Sequence, residues 1–305
     1  MEDHVSIEGT GMQVLGVSWK TRGTKYKSGL NVRNSQDEIK FLPITRGQRI
    51  AWTVQGPKRC IGRLSDDQIL NPCPSKQVVL KGAKCPECSA LDFFEPCIRC
   101  NGYSCRASNN RRIECENSDY VVYLAIFNDS SIKVGVSTKK RAMIRWLEQG
   151  ADYAGVLLEV EGGKMARQIE HDIGRHPAIQ TAVSSASKKK SLLSKLSFDE
   201  ANSIVMSFLD SYSIHSTFEA PTLIDLSIHY SLDDLLTEPI PWLRRNQKIQ
   251  NLKLVGNVLG MKGSYVITKI GNAYRIASLK RLIGYSINEG IAEPFESQSG
   301  LLDFI

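Results

Sequence analysis

Tyr120-Val-Val-Tyr-Leu-Ala-Ile-Phe127, then Asn128-Asp-Ser-Ser131, then Ile132-Lys-Val-Gly-Val-Ser137 is the stretch on which the fold turns. The first segment is an unbroken apolar run rich in β-branched and aromatic residues, and reads as a buried strand. The second is turn chemistry. The third reads as the hairpin partner of the first. A helix follows, with Ser137 or Thr138 at its N-cap and Gly150 as its C-terminal stop. Tyr153 to Val160 reads as a third strand. Lys164 to Ile173 reads as a second helix, with Met165, Ile169 and Ile173 spaced along one face. The order is strand, strand, helix, strand, helix.

Beyond this unit, residues 184–197 are rich in Ser and Lys and predict an exposed loop containing Lys188, Lys189 and Lys190. Ser197-Phe-Asp-Glu200 has capping-box spacing and opens a helix whose Ala201, Ile204, Val205 and Phe208 suit a core-facing stripe. Residues 213–250 read as a connector with short helices around Leu235 and Trp242. The end returns to β: 252–259, 264–270 and 273–277, with Gly271-Asn272 as a turn, and a small barrel is expected there. Before the central unit, Met12–Trp19 and Arg49–Val54 alternate as strands do. The fold class is α+β, and five segments follow. They are a β unit over 1–59, a Cys-rich zinc module over 60–118, an α/β unit over 119–212, a connector over 213–250 and a basic β unit over 251–305.

The chain has 305 residues, 42% hydrophobic and 23% charged. That balance excludes intrinsic disorder, collagen and a pure coiled coil for the whole. No window approaches the ~18 uncharged apolar residues of a membrane span. The acidic Met-Glu-Asp-His start carries no apolar run after it, so a cytoplasmic protein without a membrane is expected. The net charge of +7 is mild, but its distribution is not. Phe198 to Glu238 holds eight acidic residues and no Lys or Arg. Pro239 to Asn288 holds nine basic residues, Lys280 and Arg281 among them, and no Asp or Glu. Trp242, Tyr265, Tyr274 and Tyr285 are interleaved with them. A phosphate backbone favours such a surface, with rings for base stacking, so Arg244, Arg245, Lys253, Lys262, Lys269 and Arg275 are the expected nucleic-acid contacts. The alternative is a solvated face that complements the acidic block.

All eight cysteines lie between residues 60 and 115: Cys60, Cys73, Cys85, Cys88, Cys97, Cys100, Cys105 and Cys115. Cys85-Pro-Glu-Cys88 and Cys97-Ile-Arg-Cys100 are two C-x-x-C pairs, and one pair completing the other's shell around Zn2+ is the expected arrangement. Eight thiolates suffice for two structural sites, with Cys60, Cys73, Cys105 and Cys115 as the second, and interleaved pairings are equally open. An iron–sulfur cluster uses the same ligand type. Disulfides need an oxidising compartment. No Walker, G-x-G-x-x-G or G-x-S-x-G sequence supports a nucleotide cofactor or a serine hydrolase.

The element order, together with Val121-Val-Tyr123, Lys133-Val-Gly135, an Arg in the next helix and a Glu in the one after, resembles the GIY-YIG nuclease fold. That resemblance implies a scissile phosphate among Tyr123, Lys133 and Arg141 or Arg145. Gly135 would be the close-approach glycine, and Glu170 would hold a Mg2+. Val121 stands at the first-motif glycine and Lys133 at the second-motif tyrosine; a lysine there stabilises a phosphate or lowers the pKa of a neighbouring phenol. The whole chain resembles the domain-of-unknown-function family 2797. The stretches that carry this are Cys60-Ile-Gly62, the C-x-x-C pairs, Tyr123-Leu-Ala125, Lys133-Val-Gly135, Arg145-Trp-Leu-Glu-Gln-Gly-Ala151, Gln168-Ile-Glu170 and Gly260-Met-Lys-Gly-Ser-Tyr265. That resemblance implies an architecture and names no reaction. The expected function is a zinc-containing protein that engages nucleic acid, RNA preferred, as a tRNA-type processing or modification enzyme. The alternatives are a binding module without hydrolysis, a metal-dependent DNA endonuclease and an interaction scaffold.

Overall fold

The computed structural model describes residues 11–23, 25–179, 192, 195–211, 219–232, 249, 251–271 and 273–290. Strands β1 (Met12–Arg22), β2 (Lys25–Arg33), β3 (Ile39–Pro43) and β4 (Arg49–Gln55) come first. The cysteine segment carries two-residue strands β5 (Arg63–Leu64) and β6 (Leu70–Asn71) and short helices α1 (Pro86–Ala90), α2 (Glu95–Ile98) and α3 (Asn109–Glu116). Next are β7 (Asp119–Ile126), β8 (Ile132–Thr138), α4 (Ala142–Gln149), β9 (Tyr153–Glu161) and α5 (Gly163–Ile173). The chain continues with α6 (Phe198–Ser211), β10 (Ile224–Asp225), β11 (Lys253–Lys262), β12 (Tyr265–Ile270), β13 (Ala273–Ser278) and β14 (Ser286–Glu289).

The terminal stretches, read from sequence as two units, share one sheet. Its eight strands run β13-β12-β11-β4-β14-β1-β2-β3, all antiparallel. The expected C-terminal barrel is therefore a wing of this sheet. The physical reason is β4, whose Ile50, Trp52 and Val54 are buried. A buried strand must satisfy its backbone on both sides. Its ladder partners are β11 and β14.

A second sheet runs β10-β9-β7-β8. Its central strand β7 is buried on both faces, which explains the unbroken apolar run. Successive side chains alternate sides. Val121, Tyr123, Ala125 and Phe127 join the core shared with the large sheet and α4. Tyr120, Val122, Leu124 and Ile126 join the core under α5 and α6.

The helices depart from their sequence signals in two places. The N-cap expected at Ser137 or Thr138 is not made: both residues still pair with β7 as the end of β8, a 3-10 turn over Lys139–Arg141 follows, and α4 starts at Ala142 with Arg141 at its N-cap and no side-chain cap bond. Gly150 ends α4 in the left-handed region at φ 75°, as the C-terminal glycine predicts. Ser197 and Glu200 close a capping box before α6, with the Ser197 N–H donating to Glu200 Oε2 at 2.7 Å and the Glu200 N–H to Ser197 Oγ at 3.2 Å. On α5 the expected Met165 is exposed. The small residues Gly163 and Ala166 pack instead, with Ile173, because the helix lies close on the sheet.

Two buried charges tie the pieces together. Arg33 of β2 donates to the Ile61 carbonyl at 3.0 Å and the Leu70 carbonyl at 2.9 Å, clamping the cysteine segment to the large sheet. Lys262 of β11 sits 2.6 and 2.7 Å from the two oxygens of Asp152, which precedes β9. Asp152 also accepts the Asn128 N–H at 2.7 Å, so one ion pair joins the two sheets. No helix among the described residues is long and apolar enough to cross a membrane.

Candidate functional site

Four thiols converge at the base of the cysteine segment. The Sγ atoms of Cys60, Cys73, Cys85 and Cys88 all lie within 4.8 Å of one another, and all four residues are buried. Cys73 Sγ and Cys85 Sγ are 3.9 Å apart. Tetrahedral Zn–S bonds of about 2.3 Å place sulfurs about 3.8 Å apart, so the cluster has the dimensions of a four-cysteine zinc site. The backbone prepares it. Cys60 Sγ accepts N–H bonds from Gly62 at 3.4 Å and Cys85 at 3.2 Å, and Cys85 Sγ accepts one from Cys88 at 3.4 Å. Such donors stabilise thiolates. Gly62 has φ 95°, and a side chain there would collide with the Asn71 carbonyl.

The electrostatics call for a cation. Burial pushes the Cys88 thiol well up, and its three cysteine neighbours push it further. Burial also opposes ionisation of Cys73, but the Ser75 hydroxyl, the Gln77 N–H and neighbouring thiols outweigh it and hold Cys73 at about 6. Without a cation the cluster keeps its protons unevenly, because four thiolates this close repel. A dication removes the conflict.

The second C-x-x-C pair does not complete this shell. Cys60 and Cys73 do, and among the described residues no second group of this kind assembles. Cys97 and Cys100 are half-buried, Cys105 is exposed, and Cys115 accepts a hydrogen bond from the Tyr120 hydroxyl at 3.7 Å. The loop between Cys97 and Cys105 lies on α5 instead. Gln168 donates to the Gly102 carbonyl at 3.2 Å and Tyr103 to Asp172 at 2.9 Å.

The other candidate residues gather at the open edge of the small sheet. Tyr123 of β7 is fully buried. Its register partner on β8 is Gly135. The phenol lies over that glycine, where a methyl group would stand 2.5 Å from Tyr123 Cζ. Gly135→Ala is therefore expected to displace the ring and destabilise the fold by roughly 1–3 kcal/mol. Thermal melts check this; an unchanged Tm refutes it. Gln149 Nε2 of α4 donates to the Tyr123 oxygen at 2.7 Å, and the Trp146 ring meets Tyr123 edge-on at 5.8 Å.

Lys133 and Gly135 share a face of β8, one pair apart. Burial lowers the Lys133 ammonium, and Arg145 lowers it further against the pull of Glu170. Burial raises the Glu170 carboxyl, against Arg167, Lys133, Arg145 and the Val136 N–H. Glu170 belongs to α5, on the far side of the sheet; it reaches this neighbourhood because β8 is the edge strand. Burial pushes Tyr123 up to about 12 although Arg145 opposes it, so the phenol is protonated at neutral pH.

Arg145, not Arg141, enters this group. Arg141 is exposed and donates to Glu148 Oε1 at 3.3 Å, while Arg145 lies 3.6 Å from Glu148 Oε2. The structure thus brings together Tyr123, Lys133, Arg145 and Glu170, and leaves Arg141 one step outside. Sequence reading quoted Gln149 only within the Arg145–Ala151 stretch and gave it no role, and saw Lys280 only as one charge in a block.

The basic block does not form one face. Lys262 is enclosed by Asp152 and is not offered to a surface phosphate. Lys269 pairs in register with Tyr274 and lies over its ring at 5.1 Å. It shares a face with Lys253 through Asn257. Arg275 pairs with buried Thr268 and points to the other side. Arg244, Arg245, Lys188–Lys190, Asn272, Leu235 and Trp242 lie outside the described residues.

Fold and site together define an α+β protein with a four-cysteine module compatible with zinc. The model of the family described as "Protein of unknown function (DUF2797)" matches residues 47–287, most of the chain, and the chain belongs to that family. No curated protein and no solved structure matches it.

Proposed function

We propose that this is a zinc-stabilised nucleic-acid-binding protein that processes or modifies RNA of tRNA type at a GIY-YIG-derived phosphate site. The observation that carries the reading is the charge at the edge of the small sheet. Lys133, Arg145 and Arg167 all act on one partly enclosed carboxylate, Glu170, Arg145 acts on Lys133 as well, and Glu148 is shared between Arg145 and Arg141. A bound phosphate balances that excess. In this reading Lys133 and Arg145 hold the phosphate, and the protonated Tyr123 phenol donates to it. Glu170 would hold a Mg2+ together with water and phosphate oxygens, and such an ion, when bound, polarises the phosphoryl group.

A second reading, binding without turnover, is favoured by the Tyr123 phenol. With its pKa at about 12 it is a poor proton acceptor at neutral pH. One experiment separates the two. RNA crosslinked in cells is sequenced for the wild type and Glu170→Ala. A defined RNA class trapped better by the variant is expected for an enzyme. Equal recovery from both supports the binding module. Background recovery from both sinks nucleic acid as the ligand.

A further inference from the structure

Lys280 lies in the single turn of 3-10 helix Leu279–Leu282 that follows β13. The turn is anchored on both sides. Leu279 and Leu282 are buried in the same core as Trp146 and Leu147 of α4. The Leu279 N–H donates to the Ser264 carbonyl at 2.8 Å, and the Tyr285 N–H to the Leu282 carbonyl at 2.9 Å. Residues three apart in such a turn share a side, so Lys280 points away from the core its neighbours enter. Lys280 is exposed, yet its charge acts on Arg145 and Glu148 of α4 and on Lys133 of β8. The backbone places the turn there: Ser264, to which Leu279 is bonded, follows Gly263, and a methyl group on Gly263 would stand 3.1 Å from the Gly150 nitrogen at the end of α4. The large sheet therefore delivers a third cation to the end of α4, one helical turn from Arg145. Glu148 does not neutralise it alone, because that carboxylate is shared with Arg141 and Arg145.

Three cations from three elements held this close repel one another. Two enclosed polar atoms of α4, Trp146 Nε1 and Gln149 Oε1, also find no hydrogen-bond partner among the described residues. One phosphate would occupy Lys133 and Arg145. A cation on the neighbouring sheet suits a second.

We infer that Lys280 binds the backbone phosphate next to the one held by Lys133 and Arg145, so that the ligand is a polynucleotide whose backbone crosses the seam between the two sheets. This rests on the phosphate-site reading above. Lys280 is a positioning residue here, not a reacting one.

The test uses the full chain, loaded with zinc, and a fluorescein-labelled single-stranded RNA of twelve nucleotides. Affinity is measured by anisotropy across a salt series for the wild type, Lys280→Gln, Lys280→Arg and Arg145→Gln. Lys40→Gln on the distant edge strand β3 is the control. One lost phosphate contact on single-stranded nucleic acid lowers the salt slope by about 0.7, or about fourfold in affinity near 0.15 M salt. Lys280→Gln is expected to show both changes, Lys280→Arg to restore them, and Lys40→Gln to show neither. If Arg145→Gln weakens binding while Lys280→Gln keeps the wild-type slope, the inference is overturned and the phosphate site stands. If the wild type does not bind the RNA, both fall.

Discussion

Serine at Cys85 or Cys88 is expected to abolish zinc retention and unfold the cysteine module, whereas serine at Cys97, Cys100 or Cys105 leaves one zinc per chain. The asymmetry follows from geometry. Cys60, Cys73, Cys85 and Cys88 are the group whose sulfurs can share an ion. Beyond the Arg33 clamp and the buried Asp92, which pairs with Lys84 at 2.7 Å and accepts the Leu64 N–H at 2.8 Å, the module has little apolar packing. Its own core is those four cysteines and Val79. Its strands β5 and β6 are two residues each. Leu80, Ile98, Ile69, Leu91 and Ile113 are all exposed. Structural zinc sites supply about 10–16 kcal/mol of apparent binding energy at neutral pH, and that energy is folding energy. Loss of one of four ligands should therefore cost the module its fold. A strong chelator should do the same to the wild type. Metal analysis and hydrogen exchange over residues 57–93 check both. Undiminished zinc in Cys85→Ser, or zinc lost equally in Cys105→Ser, would refute the assignment.

The next largest effect is expected at the seam. Lys262→Ala strands the Asp152 carboxylate, which is buried beside it. Removing one partner of a buried pair costs about 3–5 kcal/mol, because the remaining charge cannot be rehydrated. For a chain of this size each kcal/mol moves Tm by about 2–4 °C, so a drop of roughly 10 °C is expected. Asp152 has a second duty, since it accepts the Asn128 N–H. Lys262→Met with Asp152→Asn keeps that bond, removes both charges and should recover much of the loss. A Lys262→Ala melt within a degree or two of the wild type would show that the pair does not hold the sheets together.

Lys262 also shows where sequence reading stops. Its charge was visible, but its burial was not. Burial depends on Asp152, more than a hundred residues away. What could be read from the residues was local. The run Tyr120–Phe127, the turn after it, Gly150 as a helix stop and the Ser197–Glu200 box all concern neighbours within a few positions. What could not be read was pairing at a distance. The C-x-x-C spacing proposed that Cys97 and Cys100 complete the shell of Cys85 and Cys88. The fold instead brings Cys60 and Cys73, through Gly62 and the clamp of Arg33. The choice between Arg141 and Arg145 was likewise open until α4 was seen to begin at Ala142. That start leaves Arg141 on the preceding turn and turns Arg145 towards Tyr123.

The place of β4 in the large sheet has a consequence for how the protein is made. As the nascent chain emerges, β1, β2 and β3 can zip together at once, since each is next to its partner in the sequence. β4 cannot, because both of its partners lie about 200 residues further on. At roughly 5–20 residues per second, Ile50, Trp52 and Val54 wait about ten to forty seconds without cover. During that interval the apolar side of β4 is open to aggregation on the ribosome. The segment translated next, Cys60 to Cys88, is the one that a single ion can lock in the meantime. Metal supply would then set the quality of the foundation on which the late strands dock.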